Sequence, residues 1–154
     1  MGIFSFLRKP KEFFSAKDKE QIVQAIRNAE KQTSGEIRVF VETRNPMVNV
    51  MDRAVEVFFF LKMDLTDDRN AVLLYIAMKD KELALFGDEG IYKKVGKEYW
   101  DKEVKSMIAK FSNENISDGI EQCIEHIGQT LKEKFPYNVD TDKNELPDDI
   151  VFGK

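Results

Sequence analysis

Four carboxylates and one amide stand at three separated points of the chain: Glu36, then Asp67, Asp68 and Asn70, then Asp88. Asp64 and Glu89 add further acids to the second and third points. These side chains offer oxygen donors and little else. Carboxylates brought together repel, and each resists ionising unless something compensates. A divalent cation is the natural compensation. Calcium takes about six to eight oxygens, and flexible loops carrying Asp, Glu and Asn suit it. Magnesium uses fewer protein oxygens and keeps more water. The chain holds one cysteine, Cys123, and one histidine, His126, so an internal disulfide, a Cys-rich zinc site and a pair of imidazole ligands are all excluded. Any metal must be a hard cation bound by oxygen. A second reading needs no ion: Asp88 and Glu89 precede a helical stretch and could cap its N-terminus and oppose its dipole.

Whether the donors meet depends on the elements that carry them. Ser15 and Asp18 stand in capping-box positions, and Ile22, Val23, Ile26 and Ala29 follow at helical spacing, with Gly35 beyond the end. Ile37, Val39 and Val41 alternate with Arg38, Phe40 and Glu42, the pattern of a strand. The next segment, 44–63, reads as a helix capped by Asn45 with Pro46 in its first turn, burying Met51, Ala54, Val55, Phe58 and Leu61. "AVLLYIAM" (71–78) is apolar on both faces, as in a central strand. "KDKE" then connects it to "LALFG" in an antiparallel hairpin. From Ile91 the period is helical again, through Tyr92, Val95, Tyr99, Val104, Met107, Ile108 and Phe111, with Gly96 marking a bend or a close contact. "SNEN" ends that stripe, and Ile120, Cys123, Ile124, Ile127 and Leu131 define a last helix before Pro136.

The expected order is therefore helix, strand, helix, strand, strand, helix, helix: an α/β fold with a small mixed sheet between helices. A strand–helix–strand crossover makes the first two strands parallel, and the hairpin makes the third antiparallel to the second. Glu36 then begins the first strand, Asp67, Asp68 and Asn70 precede the second, and Asp88 follows the third. Topology alone brings all three points to one edge of the sheet.

A chain of 154 residues fits one domain. Residues 1–14 read as an N-terminal leader, 15–136 as the folded domain and 137–154 as an acidic tail that adds an edge strand or hangs free. The formal charge of −4 excludes a general nucleic-acid binder, which needs a basic footprint. No apolar run approaches the roughly 20 residues that span a bilayer, and "MGIFSFLRKPKEFF" lacks the apolar core and cleavage site of a secretory signal. Gly2 fits a myristoylation site, but Phe6 stands where Ser or Thr is required. The expected location is the cytoplasm.

Four ordered segments carry a family resemblance: "TSGEIRVFVE" (33–42), "RNAVLLYIA" (69–77), "FGDEGI" (86–91) and "YW" (Tyr99, Trp100). Together they resemble the TPM domain, a family named from thylakoid-lumen, photosystem-repair and acetylcholine-receptor-modulator proteins. The likeness runs from about Ser15 to Phe135 and is strongest to small stand-alone bacterial members. It implies an α/β sandwich that binds a divalent cation, notably calcium, in an acidic crevice at a sheet edge. Glu36, Asn70 and Asp88 occupy the motif positions; Asp67 and Asp68 are added on the topological argument. Ala71 stands where relatives often carry Gly. The family also implies a phosphatase label, so the expected function is a cation-binding or regulatory module with an unassigned protein partner, and the alternative is a metal-assisted acid phosphatase.

Other signals are weaker. "DTDKN" (140–144) opens like a calcium loop but has Glu145 where the turn needs Gly and Val151 where a bidentate Glu is needed. "GDEG" has the outline of an RNA-clamping loop with an acidic centre that repels phosphate. No P-loop, dinucleotide fingerprint or nucleophile elbow is present. Cys123 falls on the apolar stripe of the last helix, and His126 falls away from it, on the surface. Tyr99 and Trp100 read as packing residues. Arg69 has three possible roles: orienting a carboxylate, holding a phosphate beside the ion, or forming a structural salt bridge.

Overall fold

The structure, a computed structural model, describes residues 13–111, 115–139 and 149–153. In chain order the elements are α1 (Ala16–Glu30), β1 (Glu36–Glu42), α2 (Val50–Phe60), β2 (Ala71–Ala77), β3 (Glu82–Gly87), α3 (Glu89–Lys94), α4 (Lys97–Ala109), α5 (Ile116–Leu131) and β4 (Val151–Phe152). The sheet runs β3-β2-β1-β4. β1 lies parallel to β2, with Glu36 opposite Ala71 and Glu42 opposite Ala77. β2 and β3 are antiparallel, with Val72 opposite Gly87. The mixed sheet between helices and the parallel–antiparallel order are those the sequence pattern predicts.

The strand period of two divides the core. Ile37, Val39, Val41, Val72, Leu74 and Ile76 face α1, α4 and α5. Phe40, Leu73, Tyr75 and Ala84 face α2. Both faces of β2 are buried, which explains its unbroken apolar run. The Ser15–Asp18 capping box forms as expected, and the apolar stripe of α5 is buried from Ile120 to Leu131.

Four local expectations are corrected. α2 is capped by Asn49, whose side chain accepts from the amides of Met51 and Asp52, and not by Asn45. Asn45 instead folds onto the Met47 amide, and its own backbone N–H donates to Asp80 at 2.7 Å. The buried face of α2 is Ala54, Val57 and Phe58; Met51 is exposed and Val55 and Leu61 only half-buried. The stripe from Ile91 onward is two helices, broken at Gly96, whose φ of 96° is a left-handed conformation that glycine adopts without strain. Ile91, Trp100 and Met107 are its buried residues, while Tyr99 and Ile108 face outward. His126 is half-buried, not on the surface: its Nε2 lies 2.7 Å from Glu103 on α4. Cys123 is buried in the core, and burial pushes its thiol up to about 12.

The tail does not stay irregular throughout. β4 pairs with Phe40 and Val41 as an edge strand, and Ile150 enters the core. The "DTDKN" run lies outside the described residues.

Candidate functional site

Glu36, Asn70 and Asp88 come together at one rim of the sheet, all three buried. Glu36 opens β1 opposite Ala71. Asn70 immediately precedes that alanine. The backbone N–H of Asp88 donates to the Ala71 carbonyl at 3.0 Å. One residue pair of the ladder therefore ties all three segments.

The rim is braced by Arg69. Its Nε and Nη2 donate to the two carboxylate oxygens of Asp88 at 2.7 and 2.9 Å, and Nη1 donates to Glu89 at 3.1 Å. The hydrogen bonds to Asp88 hold the guanidinium pKa above its ordinary value. Of the three roles open to Arg69, the geometry shows the orienting salt bridge. Arg69 reaches Asp88 from a backbone φ of 50°, a conformation costly for a side-chain-bearing residue. Its carbonyl accepts from the Gly90 N–H at 2.9 Å. The approach is so close that a Cβ on Gly90 would stand 2.1 Å from the Asp68 carbonyl oxygen. Only glycine fits there.

Asp88 also caps α3, accepting from the Glu89 N–H at 2.8 Å. The capping role is thus realised in the same side chain that the cation reading needs. Asp67 and Asp68 are exposed on the loop before β2 and do not share the buried rim. Among the described residues, no three of His, Cys, Asp and Glu gather into a group that would hold a metal ion by themselves.

Two oxygens of the 64–70 loop have a different status. The side-chain amide nitrogen of Asn70 donates to Ser34 Oγ at 3.2 Å, but its Oδ1 is buried with no hydrogen-bond partner among the described residues. Thr66 Oγ1 is buried and likewise has no hydrogen-bond partner among the described residues. A buried acceptor left without a donor costs free energy, and native structures reserve such groups for a reason. Asn70 was expected at the rim; Thr66 and Ser34 were not, because isolated hydroxyl residues in a loop carry no pattern.

The fold and the rim together define a small α/β domain with buried oxygen donors gathered at the start of β1 and β2. The TPM domain matches residues 7–130, and the chain belongs to that family. It is similar to the solved BA42 protein from the psychrophilic bacterium Bizionia argentinensis: 41% identity, 90% of this chain and 94% of that one covered, TM-score 0.80. No curated protein matches it. Among the described residues, no helix is long and apolar enough to cross a membrane.

Proposed function

We propose that this TPM domain binds a divalent cation, calcium or magnesium, at the rim formed by Glu36, Asn70 and Asp88, and works as a binding or regulatory module. The observation that carries the reading is the orphaned Asn70 Oδ1, a buried carbonyl oxygen on the rim that also carries the buried Glu36 and Asp88. A carbonyl oxygen beside carboxylates is a donor set for a hard cation. Asp67 and Asp68, exposed on the loop before β2, would add oxygens or contacts to ion-bound water.

Arg69 gives the reading its logic. A buried carboxylate needs a positive partner, and the guanidinium supplies it for Asp88 in the ion-free protein. An arriving cation competes with Arg69 for Asp88. The same pairing sets the phosphatase alternative behind the binding reading: Arg69 was the residue to steady a phosphate, and its guanidinium is engaged by Asp88 and Glu89. A cytoplasmic location accompanies the proposal, in keeping with a lone cysteine buried as a free thiol.

Thermal unfolding with calcium, with magnesium and with chelator tests the proposal. Ligand that binds only the folded state stabilises it by about 2.7 kcal/mol at 100 times Kd. A melting curve unmoved by millimolar calcium and magnesium overturns it, as does an unchanged response in Asn70→Ala.

A further inference from the structure

The face of α2 turned away from the sheet is apolar where a solvated helix would be polar. Phe60 is 80% exposed, Phe59 49% and Leu65, just beyond the helix, 68%. Residues four apart on a helix form a ridge. One ridge of α2 is Met51, Val55 and Phe59, and the adjacent ridge is Asp52, Glu56 and Phe60. An apolar row thus runs beside an acidic one. α2 itself carries two acids, Asp52 and Glu56, and one base, Arg53. That base is shared between the buried Glu42, which accepts from it at 2.8 and 2.9 Å, and Glu56 in the acidic row itself. One cation set against Glu42, Glu56 and the exposed Asp52 leaves the row acidic. Contiguous exposed apolar side chains rimmed by charge mark an interaction surface.

We infer that the outer face of α2 is a docking surface for a basic amphipathic helix of a protein partner, whose apolar row packs on Met51, Val55, Phe59 and the adjoining Phe60, and whose lysines or arginines meet the acids of the neighbouring row. Helix-on-helix recognition of this kind reads anchors at three- and four-residue spacing, and charge complementarity fixes register and partner choice. An anionic membrane is the poorer match, because the acids beside the phenylalanines repel it. The inference stands apart from the cation proposal: it concerns another surface and survives if no ion binds.

The test is calorimetric titration of the whole chain with three synthetic peptides. One is a Leu/Lys amphipathic helix, one its Leu/Glu analogue, and one a scrambled Leu/Lys peptide of the same composition. Saturable one-to-one binding of the patterned Leu/Lys peptide alone is expected, weakened at least tenfold in Phe60→Ser and in Asp52→Lys, with the folded state checked by circular dichroism. If either variant unfolds, the ranking of the three peptides on the unaltered chain still decides. Equal binding of the scrambled peptide reduces the effect to bare charge attraction and overturns the inference. So does a dimer in sedimentation equilibrium that Phe60→Ser dissociates, which would make the occupant a second copy. Sedimentation with anionic vesicles, lost in Phe60→Ser and unaccompanied by peptide binding, would assign the face to a membrane instead.

Discussion

Arg69 holds both carboxylate oxygens of Asp88, at 2.7 and 2.9 Å, across the gap between the loop before β2 and the helix after β3. The domain thus supplies the buried Asp88 with a counterion of its own.

Replacing Arg69 with methionine removes that counterion while keeping an unbranched apolar stem. Asp88 is left buried without its positive partner. The chelator-treated variant should melt below the unaltered protein, and added calcium should raise its melting temperature by more than it raises that of the unaltered protein. Equal calcium responses in the two proteins would show that Arg69 and the ion do not compete.

Asp88→Asn tests the other half of the pair. The variant keeps the cap on the Glu89 amide, since an amide oxygen also accepts, but loses the charge. Calcium binding by calorimetry should weaken at least tenfold, the smallest loss consistent with a carboxylate ligand worth about 1.4 kcal/mol or more.

Gly90→Ala places a methyl group 2.1 Å from the Asp68 carbonyl oxygen. The contact is with backbone, so neither side yields cheaply. Overpacking of this kind costs about 1–3 kcal/mol, readable as a lower urea midpoint. Because the loop must move, the calcium response should shrink with it.

At the opposite end of the sheet, the Tyr75 hydroxyl and the Arg53 guanidinium both donate to the buried Glu42 carboxylate. Tyr75→Phe removes one donor from a charge buried from solvent, at a cost of about 1–3 kcal/mol. Urea unfolding measures it, and calcium binding should be unaffected because the cluster lies a strand length from the rim.

Alkaline pH offers a separate reading of the core. Burial raises the Cys123 thiol from 9.0 to about 12 in the folded state. A group whose folded pKa is raised contributes stability in full below its unfolded pKa, and that contribution is lost as pH climbs toward the folded value. Unfolding free energy should therefore begin to fall near pH 9 and continue falling toward pH 12. Burial and the Glu42 carboxylate also raise Tyr75, which adds to the loss above its ordinary 10.0. Cys123→Ala should flatten the part of the slope that starts first.

The architecture was legible because its signals are local and periodic. The Ser15–Asp18 box, the alternation of β1, the two-sided run of β2 and the stripe of α5 each specify their element without reference to the rest of the chain. Chain direction then placed Glu36, Asn70 and Asp88 at one rim. Where reading failed, a partner distant in sequence made the choice. Asn45 before Pro46 is a good helix start, yet Asp80 takes its amide and the cap passes to Asn49. α2 is apolar around most of its circumference, so spacing could not tell the sheet-facing row from the outward one. His126 sits off the apolar stripe, but Glu103 on a neighbouring helix draws it inward. At the rim, the left-handed backbone of Arg69 leaves no mark in residue type, so the pairing that separates buried Asp88 from exposed Asp67 and Asp68 emerges only in three dimensions.

The short β4 strand has a practical implication for anyone shortening this protein. Val151 and Phe152 hydrogen-bond along the outer side of β1, and the Gly153 N–H reaches the Val41 carbonyl at 2.8 Å. Cutting the chain before Asp149 would bare a row of unpaired peptide groups beside Phe40 and Val41, an invitation to strand exchange between molecules. A version ending at residue 148 should sediment as larger species than the 154-residue chain in analytical ultracentrifugation.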